Sequence, residues 1–191
     1  MIRVFLASPG ATGRLGRALA RLLHAPALVT LAGDLGTGKT TLVRSALRAA
    51  GVRGPVVSPS FTIAQTYRGQ RGLRLHHLDL YRLSPGADAQ LFAWDDYLTP
   101  DALTFVEWPE AGAAELPEAD VSLRLSHHAL RSRWAEVEAE PALEAQLMAA
   151  LTAAGLPAEQ TGAPGDGPPP DEPPSGGAQD ASPAGDQLGL F

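Results

Sequence analysis

Eight residues constrain this chain more than any other part of it. Gly33-Asp34-Leu35-Gly36-Thr37-Gly38-Lys39-Thr40 match the pattern G-x-x-x-x-G-K-[ST]. Before them, the run ALVTLA at 27–32 reads as a buried central strand; after them, residues 39–50 read as a helix. Glycines let the backbone curl so that successive N–H groups point at phosphate oxygens, and the positive end of the following helix adds to the cradle. Lys39 is expected to reach the β and γ phosphates of a nucleoside triphosphate. Thr40 is expected to ligate magnesium, with Thr41 completing the nucleotide-binding segment. The chain has 15 Lys and Arg side chains, and Lys39 is its only lysine. A compact ammonium fits inside a phosphate cradle where a broad guanidinium does not, so the exception falls where the chemistry requires it.

Around this loop the sequence alternates strand and helix patterns, which predicts an α/β fold: a phosphate-loop nucleotidase with a central sheet flanked by helices. Leu15, Ala18, Leu19, Leu22 and Leu23 give a helix over about 12–24, with Arg14, Arg17 and Arg21 on its opposite face. FTIAQTY and LRLHHLDLY, joined by RGQRG, read as a β-hairpin, as do VSLRLSH and RWAEVEAE; ALTFVEW reads as a buried strand, and Pro141 opens a terminal helix. Residues 1–155 are expected to form the catalytic domain. Residues 156–191 are expected to be a disordered tail rich in Pro and Gly.

The sequence holds 191 residues, net charge −6 and no cysteine, which excludes disulfides, thiolate metal sites and a cysteine nucleophile. Charge is split along the chain. Residues 1–82 carry 12 basic and 2 acidic side chains, and residues 83–155 carry 3 and 13. No stretch approaches the roughly 20 apolar residues that cross a bilayer, and the N-terminus lacks a leader pattern. A cytoplasmic location without membrane attachment is expected.

A phosphate-loop hydrolase also needs a carboxylate for magnesium and a group that positions the attacking water. Glu107 ends the run Leu103-Thr104-Phe105-Val106, where a buried strand delivers its last side chain to the ligand edge of a sheet; Asp79 ends an alternating strand in His77-Leu78-Asp79-Leu80-Tyr81-Arg82. Either could be the principal carboxylate. The segment Ser58-Pro59-Ser60-Phe61-Thr62 stands where a nucleotide-sensing switch could sit. His76 and His77 are adjacent, so on a strand they face opposite ways and cannot both ligate one metal.

Taken together, GDLGTGKTT, SPSFT, HLDLYR and EWPE resemble the bacterial TsaE family, over about residues 10–140. The resemblance implies a magnesium-dependent ATPase of tRNA threonylcarbamoyladenosine biosynthesis, activated by TsaD and TsaB, with tRNA engaged indirectly through that complex. It assigns phosphate and magnesium binding to Lys39, Thr40 and Glu107, a catalytic or switch role to Asp79, and a place beside the nucleotide to Trp108. Ser60 stands where the family pattern has threonine.

A GTPase would need an N-K-x-D guanine reader, and the chain has no asparagine. A small-molecule kinase shares the loop and needs arginines over the phosphates, for which Arg68, Arg71 and Arg74 are candidates. A nucleotide-gated binding module with negligible turnover is a third reading. The tail ends in Gln187-Leu188-Gly189-Leu190-Phe191, which resembles the peptide that docks on the bacterial sliding clamp.

Overall fold

A computed structural model describes residues 1–59, 62–84 and 87–161. The expected tail from 162, including Gln187, Leu188, Leu190 and Phe191, and the expected switch residues Ser60 and Phe61 lie outside the described residues.

The chain builds β1 (Ile2–Leu6), α1 (Pro9–Leu22), β2 (Ala27–Ala32), α2 (Lys39–Ala49), β3 (Ala64–Arg68), β4 (Arg74–Asp79), α3 (Ala87–Leu91), β5 (Ala102–Glu107), β6 (Val121–His127), β7 (Arg133–Ala139), α4 (Pro141–Ala153) and β8 (Ala158–Gln160). The strands form one sheet in the order β3-β4-β5-β2-β6-β7-β1-β8. Its centre, β4-β5-β2-β6, is parallel, while β3 joins β4 and the run β6-β7-β1-β8 continues in antiparallel pairs.

Period-two alternation decides which side each strand buries. Ile2, Val4, Val29, Leu31, Phe105, Leu123 and Val137 face α1, α2 and α4, which contribute Leu15, Leu19, Leu42, Leu47, Leu147 and Leu151 to one core. A smaller cluster on the other face joins Leu28, Leu78, Leu80 and Val106 to Trp94.

Two expectations shift. α1 starts at Pro9 rather than near 12, because Ser8 caps it: its hydroxyl accepts from the Ala11 N–H at 3.2 Å, and proline suits the first helical position. The domain boundary at 155 is also too early. Leu156 is buried and Ala158–Gln160 pairs with β1, so the sheet continues into the segment assigned to the tail. β1 itself carries a clean alternation, with Ile2, Val4 and Leu6 inward and Arg3 and Phe5 outward.

Parallel register then places the site. Leu31 of β2 pairs with Glu107 of β5, and Glu107 pairs with Asp79 of β4. The end of β2 and both carboxylates therefore stand side by side at the carboxyl edge of the sheet, the usual ligand edge of an α/β fold.

Candidate functional site

The loop leaves β2 at Gly33 and enters α2 at Lys39, and its three glycines all have positive φ: +126° at Gly33, +79° at Gly36 and +104° at Gly38. Gly33 is required for packing as well as for φ. A Cβ there would stand 2.0 Å from the Leu125 carbonyl oxygen of β6. Gly38 precedes α2 without a side-chain cap, so the first helical N–H groups have no competing side-chain acceptor.

Two side chains from the β6–β7 hairpin hold the loop from outside. His127 Nε2 is 3.2 Å from the Leu35 carbonyl, and an Arg133 guanidinium nitrogen donates to the Gly36 carbonyl at 3.2 Å. With a carbonyl as its partner, Nε2 must carry the proton. The peptide unit is planar and trans, so drawing the Leu35 carbonyl one way sends the Gly36 N–H the other way, while the Thr37 N–H donates to the Asp34 carbonyl at 3.4 Å. Thr37 is buried behind the loop, its hydroxyl donating to the Asp34 carbonyl at 2.8 Å.

Lys39 is 4% exposed. Its Nζ donates to the carbonyls of Gly33 and Asp34, the latter at 3.0 Å, and lies 3.8 Å from the centre of the Trp108 ring. Burial lowers the ammonium's pKa from its ordinary value, and the charges of Glu107, Asp79, Glu110 and Asp34 pull it back up. Here the lysine folds onto its own loop.

Glu107 is buried at the end of β5 and uses both oxygens. Oε2 accepts from the Thr40 hydroxyl at 2.9 Å, and Oε1 lies 2.7 Å from His77 Nε2. Nδ1 of His77 is buried without a hydrogen-bond partner. With Nδ1 unpartnered, Nε2 carries the proton that faces Glu107. Asp79 stands beside Glu107 in register, with Oδ1 accepting from the Tyr81 N–H at 3.2 Å. Trp108 occupies the left-handed region at φ 60°, and its ring meets that of Tyr81 with centroids 4.9 Å apart. Such a conformation in a bulky residue is a local strain that neighbouring contacts must maintain.

These groups surround a cleft of about 270 Å³ lined by Leu35, Gly36, Gly38, Lys39, Thr40, Thr41, Asp79, Tyr81, Glu107 and Trp108. Gly33, Asp34 and Thr37 shape the loop without lining the cleft. The donor set suits magnesium: the Thr40 hydroxyl and the two carboxylates are hard oxygen ligands meeting at one edge. Among the described residues no three His, Cys, Asp or Glu side chains form a metal cage of their own.

His77, Tyr81, His127 and Arg133 were not expected in the site. His77 was legible, because it lies two residues before Asp79 and so on the same strand face. His127 and Arg133 reach the loop across the sheet, from about 90 positions further along the chain, and no local pattern marks them. Arg68, Arg71 and Arg74 do not cover the phosphates. Arg68 ends β3, Arg71 lies in the turn and Arg74 starts β4, about 16 Å from Asp79 at roughly 3.3 Å per residue, and Arg74 pairs with Asp101 at 3.5 Å. The described residues of the 58–62 segment do not line the cleft either.

The family model of threonylcarbamoyl adenosine biosynthesis protein TsaE matches residues 6–135. A tRNA threonylcarbamoyladenosine biosynthesis protein TsaE from Streptomyces coelicolor is 46% identical over 112 residues, 58% of this chain and 76% of that protein. Its counterpart from Haemophilus influenzae is 39% identical over 101 residues, 53% of this chain and 63% of that one. The matched region thus spans just under two thirds of the Haemophilus protein. The fold matches the crystal structure of Bacillus subtilis YdiB with a TM-score of 0.65 at 23% identity, covering 81% of this chain and 98% of that one.

Proposed function

Because the chain belongs to the TsaE family of threonylcarbamoyl adenosine biosynthesis proteins, we propose that it binds ATP with magnesium in the cleft at the end of β2 and hydrolyses it in support of tRNA modification. The observation that carries this reading is the 2.9 Å contact between the Thr40 hydroxyl and the buried Glu107 carboxylate, which joins the phosphate loop to a strand-end acid. Thr40 and Glu107, with Asp79 beside them, would hold the magnesium ion. When bound, that ion neutralises charge on the β and γ phosphate oxygens. The Gly36 N–H and the first turn of α2 bind phosphate oxygens. Lys39 exchanges its loop carbonyls for the phosphates, and Trp108 covers it. Asp79 and Glu107 orient the attacking water.

TsaD and TsaB are the proposed partners: they carry out the transfer to adenosine 37 of tRNA, this chain accelerates only in their presence, and it works in the cytoplasm. Among the described residues no helix is long and apolar enough to cross a membrane. The kinase reading loses its lid, since Arg68, Arg71 and Arg74 stand at the far end of the sheet. Docking of Gln187, Leu188, Leu190 and Phe191 on a sliding clamp is a separate proposal carried by the sequence alone, and equal binding of a Leu190→Ala/Phe191→Ala peptide would end it.

The test is phosphate release from ATP, with and without purified TsaD and TsaB. The expected result is slow basal turnover that rises with the partners and vanishes in Lys39→Ala, with ATP affinity lowered at least about tenfold through loss of the phosphate-facing charge. Normal turnover in a folded Lys39→Ala protein would overturn the assignment.

A further inference from the structure

Eight of the twelve basic side chains of residues 1–82 lie on α1, the later turns of α2, the loop after α2, and β3 with the turn that follows it. On α1, Arg14, Arg17 and Arg21 follow i, i+3, i+7 spacing opposite the buried Leu15 and Leu19. α1 and α2 meet closely: a Cβ on Gly16 would stand 2.3 Å from the Leu42 carbonyl, and one on Gly13 would stand 2.9 Å from the Ser45 hydroxyl and 3.3 Å from the Arg17 guanidinium. Arg17 therefore lies over the seam, beside Ser45 of α2.

On α2, Arg44 and Arg48 share a face and lean onto the following loop. Arg44 Nε donates to the Val56 carbonyl at 3.1 Å and Arg48 to the Val52 carbonyl at 3.4 Å, with the exposed Arg53 between those two carbonyls in sequence. The β3–β4 hairpin abuts the end of α2 through Gln70 N–H to the Ala50 carbonyl at 2.9 Å, and brings the exposed Arg68 and Arg71. No carboxylate among the described residues lies within ion-pair distance of any of these side chains. The acids of residues 1–82 are Asp34 and Asp79, both at the phosphate loop and its cleft.

We propose that this strip, running from α1 across α2 to the β3–β4 hairpin, binds the phosphodiester backbone of RNA directly. The inference goes beyond the ATPase reading, in which tRNA is reached only through partner subunits. Charge complementarity selects the occupant. Every cation in the strip is a guanidinium, the group best matched to phosphate oxygens. A protein partner would need apolar anchors at the centre of the interface, and the large exposed apolar side chains Leu35, Tyr81, Leu91 and Leu130 belong to other elements, with Val57 alone near the strip. The relatives' names supply an RNA of the right kind, a tRNA. α2 also begins at Lys39 and Thr40, so the strip and the cleft share a helix.

The test is fluorescence anisotropy of a labelled, unmodified tRNA transcript with the full chain, without ATP, across a salt series. Success or failure is therefore independent of hydrolysis. Binding is expected with a log–log salt slope of about −3 or steeper, at about 0.9 per phosphate contacted. Arg17→Glu/Arg48→Glu/Arg53→Glu should weaken binding at least about tenfold and flatten the slope, whereas the same three positions changed to lysine should retain binding. Single Arg17→Ala and Arg48→Ala chains, each expected to lower the slope by about 1, keep the test decisive if the triple variant does not fold. No binding at about 50 mM salt, below the physiological range, would overturn the proposal. So would unchanged affinity in the variants, or tighter binding of poly-glutamate or of a peptide of residues 162–191 than of tRNA.

Discussion

The imidazole Nε2 of His77 lies 2.7 Å from Oε1 of Glu107, and this contact leaves Oε2 to meet the Thr40 hydroxyl at 2.9 Å. His77 is a positioning residue: it reaches the cleft only through the carboxylate it orients. Glu107→Gln keeps the shape and removes the charge, so phosphate release should fall about 100-fold or more, in the range seen on removing one electrostatic group, while ATP binding changes less. His77→Ala strands a buried carboxylate oxygen, which should cost about 1–3 kcal/mol of stability and lower turnover, with partial recovery in His77→Gln. Phosphate release, nucleotide titration and thermal melting on the three variants check this. Unaltered turnover in His77→Ala would show that Glu107 needs no orientation.

Much of this arrangement was legible because its signals are local. The loop at 33–40, the carboxylates Asp79 and Glu107 at strand ends, both hairpins and the terminal helix follow from spacing within a few residues, and Trp108 followed from the family pattern. What escaped depends on contacts distant in sequence. β8 is only three residues long and is a strand because β1 has an edge to offer. Arg133 and His127 serve the loop because the parallel pairing of β2 with β6 brings the hairpin beside it. Sequence shows that the helical arginines share a side of α1 but not what α2 and the hairpin add beside them.

His76 is the other face of the same strand and supplies a pH dependence. It is buried, with Nδ1 2.9 Å from the Thr66 hydroxyl, Nε2 without a partner, and its ring edge-on to Tyr97 at 5.3 Å. Burial lowers its pKa from 6.5, Arg74 adds to the lowering, and Asp101 opposes it. As pH falls below about 6.5, the unfolded chain takes up a proton that the folded chain resists, so stability is present above that value and is lost below it. His76→Gln keeps a group that can bond Thr66 and removes the titration. Melting temperatures measured from pH 7 to pH 5, a range spanning the ordinary histidine pKa of about 6.5, should fall more in the unaltered chain than in this variant. Parallel curves would show that His76 does not set the acid lability.

Gly33 and Gly72 separate the two reasons for a glycine. Both have positive φ, +126° and +79°, but a Cβ on Gly72 meets nothing within 4 Å, whereas one on Gly33 would stand 2.0 Å from the Leu125 carbonyl. Gly72→Ala should therefore cost only the backbone strain, about 1–2 kcal/mol. Gly33→Ala adds a collision with backbone that cannot rotate away, so β6 must move from the loop, taking with it the His127 and Arg133 contacts to Leu35 and Gly36. The expected loss exceeds about 3 kcal/mol, at the upper end for single substitutions, and ATP affinity should fall even in the folded fraction because the loop amides lose their orientation. Denaturant unfolding of the two variants, with nucleotide titration under native conditions, measures both effects. Equal stability of the two variants would mean that the loop does not depend on its packing against β6.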